Sequence, residues 1–170
     1  MSYKWIGAIL IILGCGGFGL SIAASQRREE ASLRRLISAL DYMECDLQYR
    51  LTPLPELCRQ AGRESHGCVR NVLLRLAEEL ESQISPDVAN CMRKALSQTP
   101  DVSTITAAAF SALGQSLGRF DLDGQLKGLE SVRALCRREL EKLQDHQEVR
   151  LRSYRTLGFC AGAAVAILFI

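Results

Sequence analysis

The sequence predicts an all-α protein: a six-helix bundle flanked by an N-terminal and a C-terminal transmembrane helix. Three observations carry that expectation. Apolar residues recur at three-and-four spacing through the middle of the chain, with no convincing strand pattern. Pro, Gly and capping residues cut that middle into six helical stretches. Charge is confined as well: of 21 Lys and Arg and 19 Asp and Glu, only Lys4 falls within residues 1–24 or 157–170. The chain therefore divides into an N-terminal transmembrane helix at 1–25, a cytoplasmic helical bundle at 26–156 and a C-terminal transmembrane segment at 157–170.

Trp5 to Ala24 is a run of apolar or small residues, enough to span about 30 Å as a helix. Cys15, Gly19 and Ala23 recur every fourth residue, a small-residue face for close helix contact. Other patterns overlap this run. Lys4 before an apolar stretch, with Ser21-Ile22-Ala23 after it, fits a cleavable signal peptide. Ile12-Leu13-Gly14-Cys15 fits a bacterial lipidation box. Gly14, Gly16 and Gly19 match GxGxxG, but a dinucleotide site needs a strand before it and a βαβ unit after it, and the next segment is helical.

Gln26 to Leu51 reads as one helix, with Leu33, Leu36, Ile37, Leu40, Met43 and Leu47 on one face. Arg27, Arg28, Arg34 and Arg35 gather at its start. Such a cluster is often a solvated face. Lys and Arg also accumulate on the cytoplasmic side of membrane spans. Arg150, Arg152 and Arg155 flank the C-terminal segment on the same central side, so both ends direct the bundle to the cytoplasm.

Thr52-Pro53-Leu54 is a break and a restart, because Pro lacks an amide hydrogen and suits a first turn. Thr52 is placed to cap a short helix, Pro55 to Ala61, that Gly62 is expected to end before a polar loop to Gly67. Cys68 to Ile84 is helical, with Val69, Val72, Leu73, Leu76 and Leu80 inward. Ser85-Pro86-Asp87 caps the next helix, Asp87 to Gln98, which buries Val88, Cys91, Met92 and Leu96. Ser103 caps an Ala-rich helix to Leu117, and Gly118 is a natural left-handed terminator. Asp121 caps the last helix, whose apolar stripe runs Leu122, Leu126, Leu129, Val132, Leu135, Cys136, Leu140 and Leu143. That helix turns wholly apolar from Leu157. Residues 157–170 reach only about 21 Å against a core of about 30 Å, a shortfall that Arg152 and Arg155 and a thinned bilayer would absorb. Gly158, Gly162 and Ala166 form a second small-residue face, suited to packing on Cys15, Gly19 and Ala23 of the same or a neighbouring molecule.

The chemistry-bearing residues point away from catalysis. The basic and acidic counts nearly balance, against the one-sided surface of a nucleic-acid binder. Seven Cys is an odd number without a CxxC pair. Cys45, Cys58, Cys91 and Cys136 sit at helical positions as small buried hydrophobes, which fits a reducing compartment. His66-x-Cys68 in a loop is far from a zinc site, and His146 falls on a polar helix face. GxxxxGK[ST], GxSxG and HExxH are absent. Asp121-x-Asp123-Gly124 lacks the glycine position and closing Glu of a calcium loop. We expect no enzyme activity, no cofactor, no metal, no nucleic acid and no small-molecule substrate.

Several pieces taken in order resemble the stage III sporulation protein AB family, over essentially the whole chain. They are Ile6-Gly7-Ala8-Ile9-Leu10-Ile11, Leu36-x-x-Ala39-Leu40-x-x-x-Glu44, Thr52-Pro53-Leu54, Gly114-x-x-Leu117-Gly118-x-x-Asp121-x-x-x-Gln125, and Tyr154-x-x-Leu157-Gly158. The resemblance implies a bundle like the cytoplasmic domains of type II secretion F-type platform proteins. It also implies a double-pass scaffold of the mother-cell membrane, in the channel complex facing the forespore. The implied partners are a secretion-type ATPase (stage III sporulation protein AA-like), other channel subunits, the lipid bilayer and further copies of the chain. Arg27, Arg28, Arg34 and Arg35 are the residues expected to meet a partner or anionic lipid. The alternative is an exported or lipid-anchored helical adaptor or sensor behind a signal peptide.

Overall fold

A computed structural model describes the backbone of residues 2–82, 87–118 and 121–169, and the side chains of 25–82, 87–118 and 121–145. Among the described residues six helices run in order: α1 (Ser2–Tyr49), α2 (Leu54–Glu64), α3 (Gly67–Glu81), α4 (Val88–Ser97), α5 (Thr104–Ser116) and α6 (Leu122–Phe169). Among the described residues there is no strand, so the chain is all-α.

The frame is α1 and α6. Each has 48 residues, about 72 Å of helix, and each runs unbroken through the expected domain boundary at 25/26 or 156/157. They lie antiparallel: Leu33 shares a recess with Leu135 and Cys136, Arg133 bonds Asp41 and Glu44, and Leu47 shares a recess with Leu122 and Gln125. Against this pair the four short helices pack in sequence, α2 on α3, α3 on α4, α4 on α5 and α5 on α6. The apolar stripe of α1 supplies Leu33, Leu36, Leu40 and Met43, all fully buried with Leu57, Leu73, Leu76, Met92, Phe110, Leu113 and Leu129. Each such side chain contributes about 2 kcal/mol of burial, offset by the entropy of ordering the chain.

Helix starts follow their capping residues. The Asp87 carboxylate accepts from Ala89 N–H at 3.2 Å, Ser103 Oγ from Thr106 N–H at 3.2 Å, and Asp121 Oδ1 from Gly124 N–H at 3.1 Å. Each cap is worth about 1 kcal/mol. The start of α2 differs from expectation. Its N-cap is Pro53, without a side-chain cap bond, so Thr52 does not cap. Pro55 in the first turn removes one of the donors a cap would serve. The end of α2 differs too. Gly62 lies inside the helix, where a Cβ would come within 3.1 Å of the Leu74 side chain. It allows close approach to α3 rather than ending the helix, and the loop shrinks to Ser65 and His66. Two apolar positions face out instead of in. Cys45 is exposed, and Leu122 is 38% exposed, so the buried stripe of α6 begins after it. Ile84, Ser85, Pro86 and His146 lie outside the residues whose side chains are described.

Candidate functional site

Helical geometry spreads the four arginines of α1 over two adjacent lines, Arg27 with Arg34 and Arg28 with Arg35 one heptad on, about 100° apart around the axis. All four side chains are at least partly exposed, but they are not equivalent. Arg34 is tied to Glu30, with Nη2 to Oε1 at 2.9 Å. Arg35 lies over the start of α3, where a Cβ on Gly67 would sit 2.6 Å from its Nη1. The N-terminal pair therefore presents the less committed charge of the four.

The far end of the bundle brings together the motif residues around the α1–α2 turn. Gly118 adopts φ +75°; a Cβ there would meet Val88 Cγ2 at 2.6 Å and Leu54 Cδ2 at 3.7 Å. Thr52, Leu54 and Gly118, far apart in sequence, thus line one recess of about 260 Å³ with Leu47, Leu51 and Leu122. Pro53 and Asp121 stand exposed beside it. Leu51 is the described non-glycine residue with positive φ, at +53°, and is 67% exposed.

Next to that recess lies a group that periodicity alone does not reveal. Asp46 is 5% exposed. Its Oδ2 has no hydrogen-bond partner, and its Oδ1 is 3.9 Å from Arg50 Nη1, an arginine whose side chain is 72% exposed. The signal was present, since Asp46 continues the inner spacing of Leu36, Ala39 and Met43, but an acidic residue there reads as a neighbour of the stripe. Glu44 is among the residues that carry the family resemblance, but its spacing gives no sign of a partner across the bundle. It joins Asp41 on Arg133, which donates to Asp41 Oδ1 at 2.9 Å and clamps α1 to α6. Both hydrogen bonding to Asp41 and the nearby Glu44 charge raise the Arg133 pKa.

The described cysteines behave as packing groups where they are buried. Burial pushes the Cys58 thiol up to about 12, Cys136 up to about 11 and Cys91 upward, away from the thiolate that nucleophilic or metal chemistry needs. His66 is exposed at the N-cap of α3. Among the described residues, no group of three or more His, Cys, Asp or Glu is placed to hold a metal ion. Among the residues whose side chains are described, no helix is long and apolar enough to cross a membrane; the apolar runs Trp5 to Ala24 and Leu157 to Ile170 lie outside them. The small-residue faces, Cys15, Gly19 and Ala23 with Gly158, Gly162 and Ala166, lie outside the residues whose side chains are described.

Comparison with known proteins agrees along the whole length. The family model of stage III sporulation protein AB matches residues 4–170. The stage III sporulation protein AB of Bacillus subtilis (strain 168) is 21% identical over 170 residues, 98% of this chain and 99% of that protein. A solved structure of a stage III sporulation protein AB superposes with a TM-score of 0.63 at 18% identity, covering 72% of this chain and 98% of that one, a likeness of fold.

Proposed function

Because the chain belongs to the stage III sporulation protein AB family, we propose that it is a structural, non-enzymatic membrane platform of a secretion-like channel complex built during spore development. The observation that carries this is the antiparallel pairing of two 48-residue helices. The N-terminal part of α1 and the C-terminal part of α6 leave the bundle at one end, and those parts hold the apolar stretches Trp5 to Ala24 and Leu157 to Phe169. A double-pass anchor then suspends the bundle from the mother-cell membrane, on its cytoplasmic side. Arg27 and Arg28 sit at the membrane-facing end of the bundle, where they meet either anionic headgroups, each worth about 1 kcal/mol, or a secretion-type ATPase and other channel subunits docked beneath the bilayer.

Exposed Cys45 supplies the test. A membrane-impermeant maleimide should label Cys45 only after sporulating cells are permeabilised, whereas a Ser2→Cys variant should label in intact protoplasts. Labelling of Cys45 in intact protoplasts would replace the platform with an exported adaptor. Reversing charge with Arg27→Glu and Arg28→Glu should release the ATPase from the membrane fraction while the chain stays inserted; retention of the ATPase would assign these arginines to lipid and topology alone.

A further inference from the structure

The bundle end opposite the membrane parts of α1 and α6 combines three independent features. Among the described residues the exposed large hydrophobics are Tyr49, Leu51 and Leu122, at 81%, 67% and 38% exposure, and all three lie there. Leu51 and Leu122 line the 260 Å³ recess, which is open and large enough for one Leu or Phe side chain. On the other side of the same turn, a second recess of about 190 Å³ is lined by Tyr42, Cys45, Asp46, Tyr49 and Arg50. The two recesses share the turn from Asp46 to Leu51, closed by Leu51 N–H donating to the Asp46 carbonyl at 3.2 Å.

Asp46, in the wall of the second recess, has an unmet chemical need. A carboxylate withdrawn from water loses hydrogen bonds that something must replace. Asp46 Oδ2 is buried and unpartnered, and Arg50 stops 3.9 Å from the other oxygen, beyond hydrogen-bond length. Tyr42 and Tyr49 line the same recess. A carboxylate that shares a recess with two tyrosines is complementary to a cation, by a charge-assisted hydrogen bond and by the attraction of a cation to an aromatic ring. The first recess has four leucines in its wall, Leu47, Leu51, Leu54 and Leu122, and suits an apolar side chain. Leu51 is held out in a left-handed conformation that leucine resists; Gly or Asn would end α1 there with less strain.

We infer that this end of the bundle is a docking site for a partner protein segment that carries a Lys or Arg within one helical turn of a large apolar residue. The cation pairs with Asp46 in the recess of Tyr42 and Tyr49, and the apolar side chain fills the recess of Leu51, Leu54 and Leu122. The inference rests on the platform reading only for which end faces away from the bilayer; the residues and their chemistry stand without it.

The test uses the full-length chain in detergent, immobilised, with a phage-displayed random-peptide library as probe. The expected result is enrichment of peptides with Lys or Arg close to Leu, Ile, Phe or Met. A synthetic peptide so selected should bind Asp46→Asn at least about tenfold more weakly, a loss of about 1.4 kcal/mol. Leu51→Asn should weaken the same peptide while its melting temperature stays level or rises, which separates docking from folding. No convergent sequence, convergence without a basic residue, or equal affinity for Asp46→Asn would overturn the inference. So would loss of self-association in Leu51→Asn, which would make the occupant a second copy of this chain. Because Cys45 lines the second recess, an occupant would shield it in permeabilised cells; labelling of Cys45 in intact protoplasts bears on the platform reading alone, so failure here and failure of that reading are distinct.

Discussion

Gly118 holds φ +75° with Val88 pressed against it. A side chain there meets two costs, left-handed strain of about 1 to 2 kcal/mol and displacement of a γ-methyl 2.6 Å from the new Cβ. We expect Gly118→Ala to lower unfolding free energy in urea by about 2 to 3 kcal/mol, and a loss below about 0.5 kcal/mol would mean the α5–α6 turn relaxes freely. The buried thiols set a pH dependence. The folded pKa of Cys58 is raised to about 12, that of Cys136 to about 11, and Cys91 is raised as well. The folded state then holds protons that the unfolded chain gives up above about pH 9, so these thiols contribute fully below that pH and their contribution falls as pH rises toward 12. Denaturation monitored from pH 8 to 11 should show falling stability, and Cys58→Ala should flatten the decline. Gly118 was legible because the sequence has no Cβ to pay for at that turn. Leu51 was not, because nothing in a leucine signals a left-handed backbone.

At the scale of elements, α4 and α5 approach closely at Gly114, where a Cβ would stand 2.8 Å from Met92 Cβ and 3.5 Å from the Ala89 backbone. Gly114→Val forces these helices apart. It should cost about 1 to 3 kcal/mol as overpacking, read as a lower urea midpoint; Met92→Ala in the same chain should recover part of it, which a purely local helix effect would not. Helical period gave the inward faces of α3 and α4 because burial obeys the same 3.6-residue repeat as the backbone. The end of α2 escaped that logic. Glycine is read as a terminator, but Gly62 faces Leu73 and Leu74 of α3, and only the neighbour shows that its missing side chain serves contact rather than a turn.

For the whole molecule, the platform reading predicts that Gly162→Leu widens the packing of the membrane helices. Full-length protein should then lose size in native-detergent gels while the urea unfolding of the bundle, followed in the same full-length variant, is unchanged. Unchanged assembly, or an equal loss of bundle stability in that variant, would assign Gly162 to small-residue usage alone. The six helices, their order and most of their buried faces were determined by the sequence, because apolar periodicity, proline and capping act over one or two turns and need no knowledge of neighbours. The amphipathic halves of α1 and α6 were readable in the same way. Their antiparallel register, the Arg133 clamp, the meeting of Thr52 and Leu54 with Gly118, and the burial of Asp46 beside an exposed Leu51 were decided by tertiary structure. Each depends on contacts between residues far apart in the chain, and a carboxylate or leucine carries no local sign of whether its neighbours in space will cover it.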